Sequence, residues 1–311
     1  MNPIICIAGP TASGKTALAV ELALALDGEV VSCDSMQVYK RMDIGTAKPT
    51  PEERRGIPHH MIDVAEPWED YSVSRYCAQA APIVEDIVAR GKTAIIAGGT
   101  GLYLDSLIRG NDFAPFPSTG VREQLEAQAD REGIAVLFAR LQQIDPAAAA
   151  RLPLSDRKRI VRALEVYLET GETITAHNLR TQQQPPRFAP VWLGLDFESR
   201  AALYSRIDAR VGQMLAAGLL EEIRSLLAAG IPEKCTAMQA IGYKEFTAAL
   251  EGRCTIDQAA DLVRQSSRRY AKRQLTWFRR NREIHWLVRR PGQTDAEILA
   301  QARQLLQEND R

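Results

Sequence analysis

The chain is short of cysteine and histidine and carries no surplus charge. Its five cysteines, Cys6, Cys33, Cys77, Cys235 and Cys254, include no C-x-x-C pair. That argues against a zinc ribbon or a disulfide frame, and reduced thiols in or near a core are expected instead. Of the four histidines, His59 and His60 are adjacent. Neighbours of this kind are poorly spaced to ligate one metal from one helical face, so a solvated or capping loop is expected there. Lys plus Arg and Asp plus Glu number 39 each, so any nucleic-acid contact must come from local clustering. Long apolar runs are missing too: none approaches the roughly 20 residues that span a bilayer. No charged leader precedes the first apolar run. A soluble, cytoplasmic protein with no membrane contact is expected. The 45% hydrophobic content suits a packed globular chain, and 311 residues allow two domains or one domain with a large insertion.

What is present is organised around Gly9-Pro10-Thr11-Ala12-Ser13-Gly14-Lys15-Thr16. It follows the apolar run at residues 4–8 and opens a helical pattern at 17–26, so it sits where a strand turns into a helix. This spacing of glycines, Lys and Thr suits phosphate: the backbone curls around oxygens, amides and a helix N-terminus aim positive potential inward, and Lys15 adds a charge. The Thr16 hydroxyl can ligate magnesium. The motif does not say which phosphate compound it holds. Residues 29–33 read as a second buried strand ending at Asp34, where sheets of this class bind ligands. Asp34 is expected beside the phosphate loop, with a capping role as the plainer alternative. Residues 72–90 have helical spacing and 93–97 form another apolar strand, ending in Gly98-Gly99-Thr100-Gly101. Thr100 either offers its hydroxyl to a ligand or caps the next helix. Continuous apolar strands alternating with amphipathic helices predict an α/β fold, a P-loop NTPase-like core with a parallel sheet flanked by helices.

Residues 118–184 are charged and helical in pattern, with predicted helices at 122–132, 135–143 and 156–169. They are expected as a helical insertion domain, leaving 1–117 and 185–311 as the core. Residues 182–186 read as a loop, 191–195 as a returning strand, and 200–216, 221–227, 237–250 and 257–277 as helices. The last helix and its tail hold Arg264, Arg268, Arg269, Lys272, Arg273, Arg279, Arg280, Arg282, Arg289 and Arg290 against the acid Glu283, with Tyr270, Trp277, Phe278 and Trp286 interleaved. Arginines among aromatics suit phosphate backbones and unstacked bases. On these residues alone two chemistries stay open. The loop could hold ATP-magnesium for phosphoryl transfer by a small-molecule or nucleotide kinase, or hold the diphosphate leaving group of an activated carbon compound.

Seven segments in order carry a family resemblance: the phosphate loop, Asp34-Ser35-Met36-Gln37-Val38-Tyr39, Asp43-Ile44-Gly45-Thr46-Ala47-Lys48, Gly98-Gly99-Thr100-Gly101-Leu102-Tyr103, Arg162-Ala163-Leu164-Glu165-Val166, Ile241-Gly242-Tyr243-Lys244-Glu245 and Lys272-Arg273-Gln274-Leu275-Thr276-Trp277. Over residues 4 to about 286 the chain resembles the bacterial tRNA dimethylallyltransferases. Arg41 stands where relatives often carry glycine. The resemblance implies transfer of a dimethylallyl group from dimethylallyl diphosphate to N6 of adenosine 37 in tRNA, with Mg2+, by a monomer. It implies Asp34 as general base, Thr100 at the substrate adenosine, and the phosphate loop with Arg206 or Arg210 on the diphosphate. RNA contacts are implied at Asp34, Ser35, Met36 and Gln37, at Thr100 and Arg122, and at Lys158, Arg159, Ile160, Val161 and Arg162. Further contacts are implied at Gln239, Ala240, Ile241, Gly242, Tyr243 and Lys244, and at Arg273, Gln274, Leu275, Thr276, Trp277, Phe278, Arg279 and Arg280.

Overall fold

The computed structural model describes residues 4–111 and 119–309. Apolar runs become strands because their side chains can be buried on both faces. β1 (Ile4–Ala8) leads through the glycine loop into α1 (Lys15–Ala25), then β2 (Gly28–Ser32), α2 (Pro51–Arg54), β3 (His59–His60), α3 (Val73–Ala89), β4 (Thr93–Gly98) and α4 (Gly101–Arg109). After residue 186 come β5 (Val191–Phe197), α10 (Arg200–Ala216), α11 (Leu219–Ala228), α12 (Tyr243–Leu250), α13 (Ile256–Phe278), β6 (His285–Arg289) and α14 (Asp295–Asn309). The six strands run parallel in the order β3-β2-β4-β1-β5-β6. Central β1 pairs Ala8 with Gly98 of β4 and with Gly194 of β5. The carboxyl ends of β1 and β4, each followed by glycines, therefore lie side by side at one edge, where parallel sheets hold ligands.

Two cores cover the sheet. One packs Cys6, Val31, Ile96, Tyr76, Leu104 and Phe246; the other packs Ile5, Ile7, Leu22, Ile95, Leu193 and Ile298. Cys6 and Cys33 are buried, the other three cysteines are partly buried, and all five are free, as their spacing predicted. Burial raises the thiols of Cys6 and Cys33 well above the ordinary range. Among the described residues no helix is long and apolar enough to cross a membrane.

The chain divides into one unit of residues 1–110 and 187–311 and a second of 111–186. The expected boundary at 117/118 lies outside the described residues, and the later one falls at 186/187 rather than 184/185. The second unit is helical: α5 (Val121–Glu132), α6 (Ile134–Ile144), α7 (Pro146–Ala149), α8 (Arg157–Thr170) and α9 (Ile174–Gln183) surround Leu125, Leu137, Leu141, Ile160 and Leu164. Asp145 ties it together by accepting from Ala148 N at 2.9 Å and Thr175 N at 3.0 Å.

Three expectations are corrected. His59 and His60 form a short edge strand, not a loop; His60 Nε2 lies 2.8 Å from Glu29, and Arg90 completes that cluster. The predicted helix over 237–250 is a 3-10 turn, Ala237–Gln239, and then α12, broken by Gly242 at φ +102°. The loop expected at 182–186 begins only after α9 ends at Gln183.

Candidate active site

The glycines of the first turn have different work. At Gly9 a Cβ would meet Leu195 O at 2.9 Å and Ser13 Oγ at 3.1 Å, so a side chain there would push the loop off β5. Gly14 lies at φ +94°, open to glycine at little cost. Around these the loop is braced from within and without. Lys15 Nζ donates to Pro10 O at 2.7 Å, Thr11 N donates to Gln274 Oε1 at 2.9 Å, and Arg206 Nε donates to Ala12 O at 3.0 Å. The first turn of α1 holds no acid, so its positive end is unopposed. Ser13 Oγ is buried without a partner among the described residues. Loss of water, then the nearby Arg210, lowers Lys15 to about 7 against the opposing pull of Asp34. Desolvation likewise lowers Arg210, with Asp34 acting the other way. A cradle of concentrated positive groups with an orphaned buried hydroxyl is built to receive an anion.

Asp34 stands just past β2. Its Oδ1 accepts from Met36 N at 2.8 Å and Gln37 N at 3.3 Å, while Oδ2 has no hydrogen bond among the described residues. One oxygen therefore shapes the turn and the other stays free to take a proton. No helix follows, so the capping alternative becomes a turn role. Thr100 does not cap α4 with its side chain. Its Oγ1 accepts from Ser35 N at 3.0 Å, which ties the second glycine turn to the Asp34 turn.

Asp34, Thr11 and Arg210 line one cavity of about 380 Å3. Ile207, Val211 and Met214 of α10 and Val263 of α13 give the lining apolar surface, and Ser267 and Tyr270 line the cavity as well. Ser35, Met36, Gln239, Ala240, Ile241, Lys244 and Arg273 also line it. Burial, then Asp34, raises Tyr270 to about 12, with Thr100 pulling the other way. Gln37 is a tie rather than a free contact: it accepts from Ser32 Oγ at 2.9 Å and donates to Thr46 O and Ala47 O. Glu222 pins the same lip, accepting from Asp43 N and Ile44 N at 2.8 Å and from Tyr243 at 2.6 Å.

The structure separates the expected RNA contacts. Arg273, Thr276, Arg279 and Arg280 are exposed on and after α13, and the Arg273 and Arg280 guanidinium groups sit over Tyr270 and Trp277 at 5.6 and 5.5 Å. Gln274, Leu275 and Phe278 are buried, so their side chains are not offered to RNA; Tyr243 and Gly242 are buried as well. Trp277 is partly buried, its Nε1 donating to Asp105 at 2.8 Å. On the second unit Lys158 and Arg159 are exposed, Arg122 and Arg162 pair with Glu165, and Ile160 and Val161 belong to the core. Several basic residues of the run are already spent: Arg268 on Asp208, Arg264 on Asp261, Arg279 on Asp196 and Arg289 on Asp295. Sequence reasoning missed Ile207, Val211, Met214 and Glu222. The first three recur at helical spacing beside Arg210, a stripe visible once α10 is known to face the cavity.

A magnesium ion fits this site only in company. Among the described residues no group of three or more His, Cys, Asp or Glu could hold a metal. The exposed Thr16 hydroxyl at the mouth of the loop is a hard oxygen donor of the kind magnesium shares with substrate phosphates.

The family model described as IPP transferase matches residues 37–281, and one described as Isopentenyl transferase matches residues 2–71. The tRNA dimethylallyltransferase of Carboxydothermus hydrogenoformans is 48% identical over 284 residues, 91% of each chain. Among solved structures, the tRNA isopentenylpyrophosphate transferase of Bacillus halodurans is similar with TM-score 0.73 and 39% identity, over 98% of this chain and 96% of its own. A eukaryotic dimethylallyltransferase acting on tRNA aligns with TM-score 0.83 and 30% identity, over 100% of this chain and 79% of its own. Thr11 of the glycine loop, the carboxylate of Asp34 and apolar side chains of α10 lining one cavity agree with these matches, and the chain belongs to the IPP transferase family.

Proposed function

We propose that the protein transfers the dimethylallyl group of dimethylallyl diphosphate to N6 of adenosine 37 in tRNA and releases diphosphate. The observation that carries this reading is the shared cavity. Asp34, Thr11 and Arg210 meet there against an apolar wall of Ile207, Val211, Met214 and Val263, which suits a five-carbon tail.

In this reaction the allylic C1–O bond breaks, the N6–C1 bond forms, and N6 loses a proton. An exocyclic adenine amine is a weak nucleophile because its lone pair is delocalised into the ring. Asp34 takes the proton on the oxygen left free by its turn. Charge collecting on the departing diphosphate meets the loop amides, the end of α1 and Lys15. Arg210 faces the anion, while Arg206 keeps the loop in shape through Ala12 O. Magnesium, held by Thr16 and diphosphate oxygens, would supply further neutralisation of the leaving group. A stacked adenine has to leave the anticodon loop to reach Asp34, as base-modifying enzymes in general require.

Incubating the protein with unmodified tRNA and dimethylallyl diphosphate, then analysing the nucleosides by mass spectrometry, tests the reading. Isoprenoid adenosine at one position is expected. Phosphoryl transfer from ATP to a small acceptor, with unmodified RNA, would replace it with the kinase reading.

A further inference from the structure

We infer that Gln274 is a positioning residue that holds the phosphate loop in its anion-binding shape, not a contact to RNA. This rests on the function proposed above and adds a part to its machinery. Gln274 is 5% exposed, so its side chain cannot meet a docked macromolecule. It reaches both glycine turns at once: Oε1 accepts from Thr11 N at 2.9 Å, and Nε2 donates to Gly99 O at 2.8 Å. A backbone amide can only donate and a carbonyl can only accept, so one orientation of the carboxamide satisfies both partners. At this length an ionised Glu would lack the donor and Met would lack both groups.

The glycine at 99 exists for this contact, since a Cβ there would overlap Gln274 Nε2. Tyr270, Gln274 and Trp277 follow one another at helical spacing and form the face of α13 turned to the catalytic turns. Gln274 bonds Thr11 and Gly99, Trp277 covers Gly101, and Tyr270 lines the cavity beside Asp34. Arg269, Lys272 and Arg273 are exposed on the rest of the helix, and Arg280 just past its end. The basic helix thus has two jobs on two faces. The bond from Gln274 takes up Thr11 N and sets the path of the chain into Ser13 and Gly14.

The test measures binding of inorganic pyrophosphate and of unmodified tRNA by calorimetry, with thermal melting as a check on folding. The proteins are wild type, Gln274→Met, Gly99→Ala and the double variant. Gln274→Met keeps the volume and loses both bonds; Gly99→Ala displaces the same side chain from the other end. Each single variant is expected to bind pyrophosphate about tenfold more weakly, and the double variant no worse than the weaker single, because both remove one interaction. The KM for dimethylallyl diphosphate should rise similarly while tRNA affinity stays within threefold. If Gln274→Met does not fold, the Gly99→Ala result stands in its place. Wild-type pyrophosphate affinity in folded variants would overturn the inference alone. Loss of tRNA affinity with pyrophosphate binding intact would make Gln274 an RNA contact. Absence of pyrophosphate binding in the wild type would instead overturn the phosphate-loop reading itself.

Discussion

Two glycine-rich turns close the same edge of the sheet, one after β1 and one after β4, and Gly14 of the first is glycine for a different reason from the glycines of the second. In the first, Gly14 takes φ +94° so that the chain can curl, and a Cβ there would meet nothing nearer than Arg289 at 3.9 Å. That side of Gly14 is open. In the second, none of the glycines at 98, 99 and 101 has a positive φ, and each is filled by protein: the Cys33 carbonyl, Gln274 and Trp277. A run of glycines at a strand end therefore marks close approach, and what approaches has to be found in three dimensions.

The comparison breaks most sharply under alanine. Gly98→Ala drives a methyl into the Cys33 carbonyl, which cannot move without shifting β2, and a loss of about 3 kcal/mol or more is expected from urea unfolding. Gly14→Ala meets no atom and carries only left-handed strain, about 1–2 kcal/mol. Its main effect should be on pyrophosphate affinity. Equal destabilisation by the two substitutions would erase the distinction between the turns.

Lys15 sharpens the anion-binding side. Its native value, lowered to about 7, lies below the ordinary lysine value, so the folded protein releases this proton before the unfolded chain does. Between about pH 7 and the ordinary lysine value of 10.5 the unfolded state binds more protons, so this group's contribution makes stability rise with pH; below pH 7 the cost of burying the charge is full. A bound diphosphate favours the charged form. Pyrophosphate binding near pH 8 should accordingly take up a proton that Lys15→Met does not, detected by calorimetry in buffers of different ionisation enthalpy. Equal proton uptake by the two proteins would mean that Lys15 already carries its charge before the anion arrives.

The smallest effect is expected at Arg41, which stands at φ +62° where glycine would be unstrained. Its guanidinium lies over Trp68 at 5.5 Å and 3.4 Å from Glu66. Relief of backbone strain and loss of these exposed contacts oppose one another. Arg41→Gly should change stability by less than about 1 kcal/mol and leave transfer unaltered. A larger change in transfer would bring this loop into the site.

How much of this was legible followed from how local each signal was. β1, the phosphate loop and α1 were read to within two residues because strand, glycines and helix adjoin in sequence. β6 was missed because an edge strand reading His-Trp-Leu-Val-Arg, with one buried residue, has no apolar run. Helical spacing runs on through Gly242, so the break there depended on a positive φ that spacing does not reveal. In the site, Asp34 was legible from its place at a strand end, whereas the apolar wall of α10 needed to be known to face it. The inner stripe of α13 misled most. Gln274 looked like one more polar residue in a basic run, and its partners Gly99 and Thr11 lie 175 and 263 positions away in sequence.

The most direct measurement is the single-turnover rate of dimethylallyl transfer by Asp34→Asn, with tRNA and dimethylallyl diphosphate saturating. Asparagine keeps the oxygen that accepts from Met36 and Gln37, so the turn and tRNA affinity should survive within a few-fold. The rate should fall by about 10²–10⁴, the range of a lost general base. Transfer at the wild-type rate would show that the carboxylate serves the turn and not the proton.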